Sequence, residues 1–353
     1  MATPSVDLDP FRTIKVAAVQ AEPCCIFRFD VEAAVKKTCD LITEAGKNGA
    51  ELIAFPELWI PGYPTFIFAH TTKIVNDYML RYYKNCVSVA STHMAGIRKA
   101  ARAAGIMVVI GIAERDGGSL YMAQTFIGPQ GDVLLHRRKF KPTGPERIVF
   151  GDASGDCAKN VVQTPIGRVG GLQCFEHLQP LLKYNTYFQR EQIHVASWPC
   201  LFPPVGNMPF FNTVEACRMA THTLAIEGGV FVLLASMTQS EKGLKANGLD
   251  NGVAPGEEVP HTAVKGGGFT VIIAPDGRAL TEPVPADWEG LVYCDLDFNE
   301  IYRAKQWVDP VGHYSRPDIF SLVVRNDIKP HVVADSVDDE YCHVSRFPQL
   351  EEE

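Results

Sequence analysis

Three side chains of different chemistry stand where short apolar runs end. Glu57 closes ELIAFPE within AFPELWIPGYP, Lys139 sits in HRRKFKPT, and Cys174 closes RVGGLQC within GGLQCFEH. A thiol attacks as its thiolate, and the start of a helix or a nearby cation lowers its pKa. A carboxylate in reach takes the thiol proton and later activates water. An ammonium stabilises negative charge developing on the substrate. Together the three suffice for thiol-mediated hydrolysis without a metal. Each alone has a plainer reading: Cys174 as a packed thiol, Glu57 as a loop carboxylate, Lys139 as part of a solvated basic face. Their shared placement at strand ends, where open α/β sheets place ligands, favours the chemical reading.

The elements that must position them repeat. The first half runs IKVAAVQ (strand), DVEAAVKKTCDLITEAGKNG (helix), ELIAFPE (strand), a helical region over about 76–104, and IMVVIGIAER (strand), then two strands flanking GPQG. The second runs RVGGLQCFE (strand), QPLLKYNTYFQRE (helix), IHVASWP (strand), FNTVEACRMATHTLAIEGG (helix), VFVLLASM (strand), then GGFTVIIA and ALTEPV flanking APDG. Two β-α-β-α-β-β halves result. Strands such as MVVIGIA are apolar at consecutive positions, so both faces are covered. Helices cover one face and the other sheet covers the second, which predicts an α/β fold, a four-layer α-β-β-α sandwich. No linker divides the halves; residues 15–325 read as one domain after an extension over 1–14. The polar, Gly-rich stretch over about 239–268 is a candidate surface or active-site loop.

Composition narrows the class. The chain has 353 residues, 46% hydrophobic and 21% charged, as soluble globular proteins have. Its apolar runs are strand-sized, too short to span a bilayer, and the N-terminus lacks the pattern of a secretory signal. Ten cysteines, scattered without a CxxC pair, read as reduced thiols of a cytoplasmic protein, with the adjacent Cys24 and Cys25 structural or incidental. The acidic segment 326–353 reads as a mobile tail, its last 19 residues holding seven acids against Arg346. The rest is near neutral, which gives no footprint for nucleic acid. His136, His194 and His222 fall into no ligand spacing, no HExxH motif is present, and the glycines at 266–268 lack the context of a phosphate loop. No metal or cofactor is implied.

AFPELWIPGYP, HRRKFKPTGPER, CFEHLQP and the late GHYSRPDIFSL resemble, in order and spacing, the nitrilase branch of the carbon-nitrogen hydrolase superfamily, with its fungal and bacterial nitrilases. The resemblance runs from about Lys15 to Arg325. It implies Glu57 as general base, Lys139 as positioned cation and Cys174 as nucleophile. It further implies Glu146, in PTGPER, as a second glutamate supporting the lysine and positioning substrate or water, and the backbone N–H of Phe175 as an oxyanion-type donor. The implied reaction is hydrolysis of an organic nitrile to acid and ammonia, with some amide; a cyanide hydratase or a thiol amidase would use the same set. The implied partner is a second copy, in homo-dimers that build spiral filaments. Two positions depart from the pattern. Phe175 replaces the usual Trp after the cysteine, and His177 stands where cyanide-hydrating members tend to have Asn. IPGYP and ASWPCLFPP follow the Glu57 strand and the strand after Cys174, which makes Tyr63, Trp198 and Pro199 pocket candidates. His177, three residues past Cys174 on one helix face, suggests a Cys-His pair, but with a glutamate as base it reads as shaping the pocket.

Overall fold

The computed structural model describes residues 11–23, 29–68, 72–204, 208–247, 249 and 264–328. The first half contains β1 (Thr13–Ala21), α1 (Val31–Lys47), β2 (Leu52–Ala54), α2 (Thr72–Asn85), α3 (Thr92–Ala104), β3 (Met107–Asp116), β4 (Ser119–Ile127) and β5 (Val133–Arg138). The second contains β6 (Val161–Thr164), β7 (Gly167–Gln173), α4 (Pro180–Phe188), β8 (Ile193–Trp198), α5 (Val214–Gly228), β9 (Phe231–Met237), α6 (Glu241–Ala246), β10 (Val271–Ile273), β11 (Gly290–Asp297) and α7 (Asn299–Lys305). Strands neighbour one another in the order β5-β4-β3-β2-β1-β9-β8-β7-β6, with β11 antiparallel on β1 and β10 antiparallel on β9.

β11 crosses over to pair with β1; otherwise, among the described residues, strands of the two halves pair at Gln20–Ser236 and Ala21–Met237, so the rest of each half folds as its own sheet and the two face each other. Alternation along β1 shows the layering. Ile14, Val16 and Ala18 enter a core shared with Leu52, Met107 and Val109 of one sheet and Val195, Phe231 and Leu233 of the other. Ala17, Val19 and Ala21 point the opposite way, against α1 and α3. In the second half Val232 and Leu234 of β9 alternate outward to meet α4 and α5. A period of two with both faces buried yields the four-layer sandwich expected.

Three local expectations are corrected. The helical region over 76–104 is two helices, because Ser91 caps a new start, its side chain accepting from Met94 N, and Val87 leaves the helix to bridge Glu114. ALTEPV is not a strand: apart from an isolated bridge between Ile273 and Ala279, its Pro283 lacks the ladder donor, and β11 completes the pairing on the other sheet instead. The basic run HRRK is not a solvated face. Arg137, Arg138 and Lys139 are all buried, each on its own carboxylate: Glu176, Glu114 and Glu57. Cys24, Cys25, half of the candidate loop over 239–268 (residues 248 and 250–263) and the tail beyond residue 328 lie outside the described residues.

Candidate active site

Each of the three strand-end residues owes its place to its neighbours. Glu57 lies three residues past β2, and the Pro56–Leu58 backbone crosses Gly111 of β3 so closely that a Cβ there would come within 2.4 Å of Pro56 O and 2.9 Å of Glu57 Cα. Glycine is the residue that admits this approach. Lys139 follows β5 directly and is tied back by its N–H to Met122 O at 2.7 Å. Cys174 follows β7 with φ of 48°, left-handed backbone that a non-glycine residue adopts at a cost of about 1–3 kcal/mol. It opens a 3₁₀ turn, Cys174–Leu178, rather than a full helix.

That turn is held by a buried ion pair the sequence reading did not single out. Arg137, two residues before Lys139, donates to both oxygens of Glu176, two residues after Cys174, at 2.6 and 2.8 Å. Glu176 also accepts from Gln173 N and Phe140 N, each at 2.9 Å. One carboxylate thus clamps the backbone on both sides of Lys139 and Cys174. A glutamate so near the thiol was the available signal, since Arg137 itself stands among the cations of HRRK. Glu176→Leu leaves Arg137 charged, buried and alone, and should cost about 3–5 kcal/mol in urea unfolding. A loss under about 1 kcal/mol would mean the clamp carries little.

At the centre, Lys139 Nζ lies 2.8 Å from Glu57 Oε1 and 3.0 Å from Glu146 Oε2. Glu146 is fixed further by Tyr63, whose hydroxyl donates to Oε1 at 2.6 Å, and by Thr143 N, which donates to Oε2 at 2.6 Å. Lys139 meets Glu57 Oε1 as an ion pair, and Glu57 Oε2 has no hydrogen-bond partner among the described residues. Two buried carboxylates around one ammonium leave an excess negative charge. Burial pushes Glu57 up, Lys139 pulls it down and Glu146 adds to the rise, so its pKa stands at about 8. Burial works against the Lys139 charge, but Glu146 and Glu57 more than offset it and hold the ammonium well above its usual range.

The thiol does not behave as the strand-end reading implied. Burial first, then the Glu57 charge, raise Cys174 well above the usual thiol range, and Lys139 only partly opposes them. A one-turn 3₁₀ segment offers little dipole, so desolvation wins. Cys174 therefore rests as a thiol within the field of Glu57 and Lys139, and nucleophilic character must come from proton transfer rather than from a standing thiolate.

Cys174 lines a cavity of about 210 Å³. Glu146, Tyr63 and Thr143 contribute polar groups to its wall, and Phe68, Phe175, Pro199, Leu201, Phe202 and Phe211 the apolar surface. Phe175 meets Phe211 edge-on with ring centroids 6.3 Å apart. Of the pocket candidates, Tyr63 and Pro199 line this cavity, whereas His177 and Trp198 do not. They lie buried behind the 3₁₀ turn, stacked with centroids 5.1 Å apart. The aromatic wall from Phe68, Phe202 and Phe211 was missed, because short 3₁₀ turns and a loop rather than strand ends supply it.

Comparison with known proteins gives the family and the fold. The family model for carbon-nitrogen hydrolase matches residues 15–306. An arylacetonitrilase of Hypocrea virens is 46% identical over 324 residues, covering 92% of this chain and 95% of its own. An arylacetonitrilase of Aspergillus niger is 45% identical, covering 90% of this chain and 94% of its own, and a nitrilase of Talaromyces marneffei is 42% identical, covering 91% and 98%. Among solved structures, a carbon-nitrogen hydrolase of Helicobacter pylori superposes with a TM-score of 0.67 at 16% identity, over 88% of this chain and 98% of its own. The chain therefore belongs to the carbon-nitrogen hydrolase family, in the nitrilase branch that its relatives at 42–46% identity occupy.

Proposed function

We propose that this protein is a nitrilase that converts arylacetonitriles to the carboxylic acid and ammonia, with Cys174 as nucleophile, Glu57 as general base and Lys139 as the charge-stabilising cation. The observation that carries the reading is Cys174 on the wall of an aromatic-lined cavity, within range of the buried Glu57–Lys139 ion pair, whose charges both act on the thiol. Glu57 takes the Cys174 proton as sulfur attacks the nitrile carbon, and the nitrogen, protonated in turn, becomes a thioimidate. Lys139 and the Phe175 N–H bear the negative charge that develops. Water activated by Glu57 adds to give a tetrahedral intermediate, and loss of ammonia leaves a thioester. A second water releases the acid and restores the thiol. Expulsion of sulfur from the tetrahedral intermediate gives the amide instead. Glu146, locked by Tyr63 and Thr143, holds the ammonium in place.

The aryl group is assigned to the wall of Phe68, Phe175, Phe202 and Phe211, which suits a flat apolar ring on a short methylene arm. The names of the relatives point the same way. Phenylacetonitrile, benzonitrile, an aliphatic nitrile, cyanide and phenylacetamide should be compared with acid, amide and ammonia all measured. Phenylacetonitrile is expected to show the highest kcat/KM with acid as main product. Faster hydrolysis of phenylacetamide would move the protein to the amidases that share this set, and preference for cyanide would move it to the hydratases.

Self-association fits the surface of α4 and α5, where Leu181, Phe188, Met219 and Ile226 are exposed; light scattering on the eluted protein should give a mass of at least two chains. Cys39, Cys86, Cys174, Cys200, Cys217 and Cys294 are free thiols, which suits a reducing, cytoplasmic setting. No helix among the described residues is long and apolar enough to cross a membrane.

A further inference from the structure

Behind the 3₁₀ turn runs a buried chain that the proposed reaction does not use. His177 Nδ1 lies 2.7 Å from Cys174 O, His177 Nε2 lies 3.2 Å from His194 Nε2, and His194 Nδ1 lies 2.8 Å from Glu191 Oε2. All three side chains are at most 1% exposed. Alternation along β8 turns His194 away from the inter-sheet core, toward the layer where His177 sits stacked on Trp198.

The contacts fix the proton count. A carbonyl oxygen only accepts, so His177 Nδ1 must carry its hydrogen. Each of the other two contacts also needs one proton between its atoms. Two neutral imidazoles supply two of the three, so the chain of Glu191, His194 and His177 holds one proton more than a carboxylate with two neutral rings. Its net charge is zero, and it ends as a donor on the Cys174 carbonyl. Sealed from water, such a chain polarises cooperatively.

That carbonyl shares its peptide with the Phe175 N–H. Withdrawing electron density from the oxygen of a resonant amide makes its N–H a stronger donor. We infer that Glu191, His194 and His177 are positioning residues that polarise the Cys174–Phe175 peptide, so that its N–H carries more of the charge developing on the substrate. The inference rests on the nitrilase reading and on the Phe175 N–H as donor. The chain acts through the peptide and touches no reacting atom.

The test separates this role from mere support of the turn. Phenylacetonitrile turnover builds negative charge on the substrate, while alkylation of Cys174 by iodoacetamide displaces iodide without needing that donor. His177→Phe is expected to lower kcat about tenfold, less than loss of a direct oxyanion donor, with KM within about twofold and the alkylation rate of Cys174 likewise. Glu191→Gln, which can still hydrogen-bond His194 but can neither carry a negative charge nor share the extra proton, should give a smaller drop of about threefold with the same pattern. Equal loss in turnover and alkylation would show that the chain only shapes the turn. Unchanged kcat in Glu191→Gln would overturn the inference even if His177→Phe failed to fold. Retained phenylacetonitrile turnover in Cys174→Ala would instead defeat the nitrilase reading, a separate outcome.

Discussion

Replacing Cys174 by alanine should reduce nitrile turnover by at least about 10⁴-fold while leaving the protein folded, because a lost nucleophile commonly costs four to six orders of magnitude. The thiol is 5% exposed, and alanine retains the backbone and most of the packing. The clamp of Arg137 on Glu176 uses no atom of the cysteine side chain, so the turn should survive. Mass spectrometry gives a second handle. Cys86, Cys200 and Cys217 are buried thiols pushed up to about 12 or beyond by desolvation, and none of them has the Glu57–Lys139 pair acting on it as Cys174 has. Brief treatment with iodoacetamide should label Cys174 well ahead of them. An alanine variant that kept even about a tenth of wild-type turnover would remove the nucleophile from this mechanism, since no residual catalysis by the remaining groups reaches that level.

Much of this arrangement was visible in the chain. The period of two in β1 and β9, with no polar face left over, required cover on both sides and so the sandwich. Strand ends carrying Glu57 and Cys174 were readable because carboxylate and thiol close apolar runs, and Lys139 because it ends the strand that follows GPQG. What stayed hidden depended on three-dimensional pairing. Arg137 looked like one of several cations in HRRKFK, and only the register of β5 against the Cys174 turn shows that it meets Glu176 inside the protein. The thiol's pKa was misjudged for a related reason. Cation and helix start were legible in the sequence, but the desolvation that outweighs them depends on how deeply the turn is buried. Phe202 and Phe211 reach the cavity from irregular backbone, where no period marks a face. His194 had no ligand spacing in the sequence, and its partners His177 and Glu191 come from the turn and from the approach to β8.

Glu57→Gln should lower kcat/KM about 10²–10⁴-fold, the usual contribution of a positioned general base, and should change the shape of the pH profile as well. Wild-type kcat/KM is expected to rise with pH through about 8, where Glu57 releases its proton, several units above an ordinary carboxylate. The thiol titrates higher still, so the limb belongs to the base and not to the nucleophile. Iodoacetamide labelling of Cys174 should follow the same limb and, in the glutamine variant, move up toward the thiol's own titration. Stability should change with the opposite sign. The folded-state pKa of Glu57 is raised from 4.5 to about 8, so at low pH both folded and unfolded chains hold the proton. Above 4.5 the unfolded chain releases it first, and the stability tied to this group is lost as pH rises through about 8. Glutamine has no proton to lose, and it leaves Lys139 paired with Glu146 alone, so the buried charge balances. The variant should therefore gain stability relative to wild type across that window, measured as the difference in urea midpoint at pH 5 and pH 9. An activity limb near an ordinary carboxylate pKa, with no relative gain in midpoint, would mean that Glu57 rests ionised on Lys139 and that another group supplies the base.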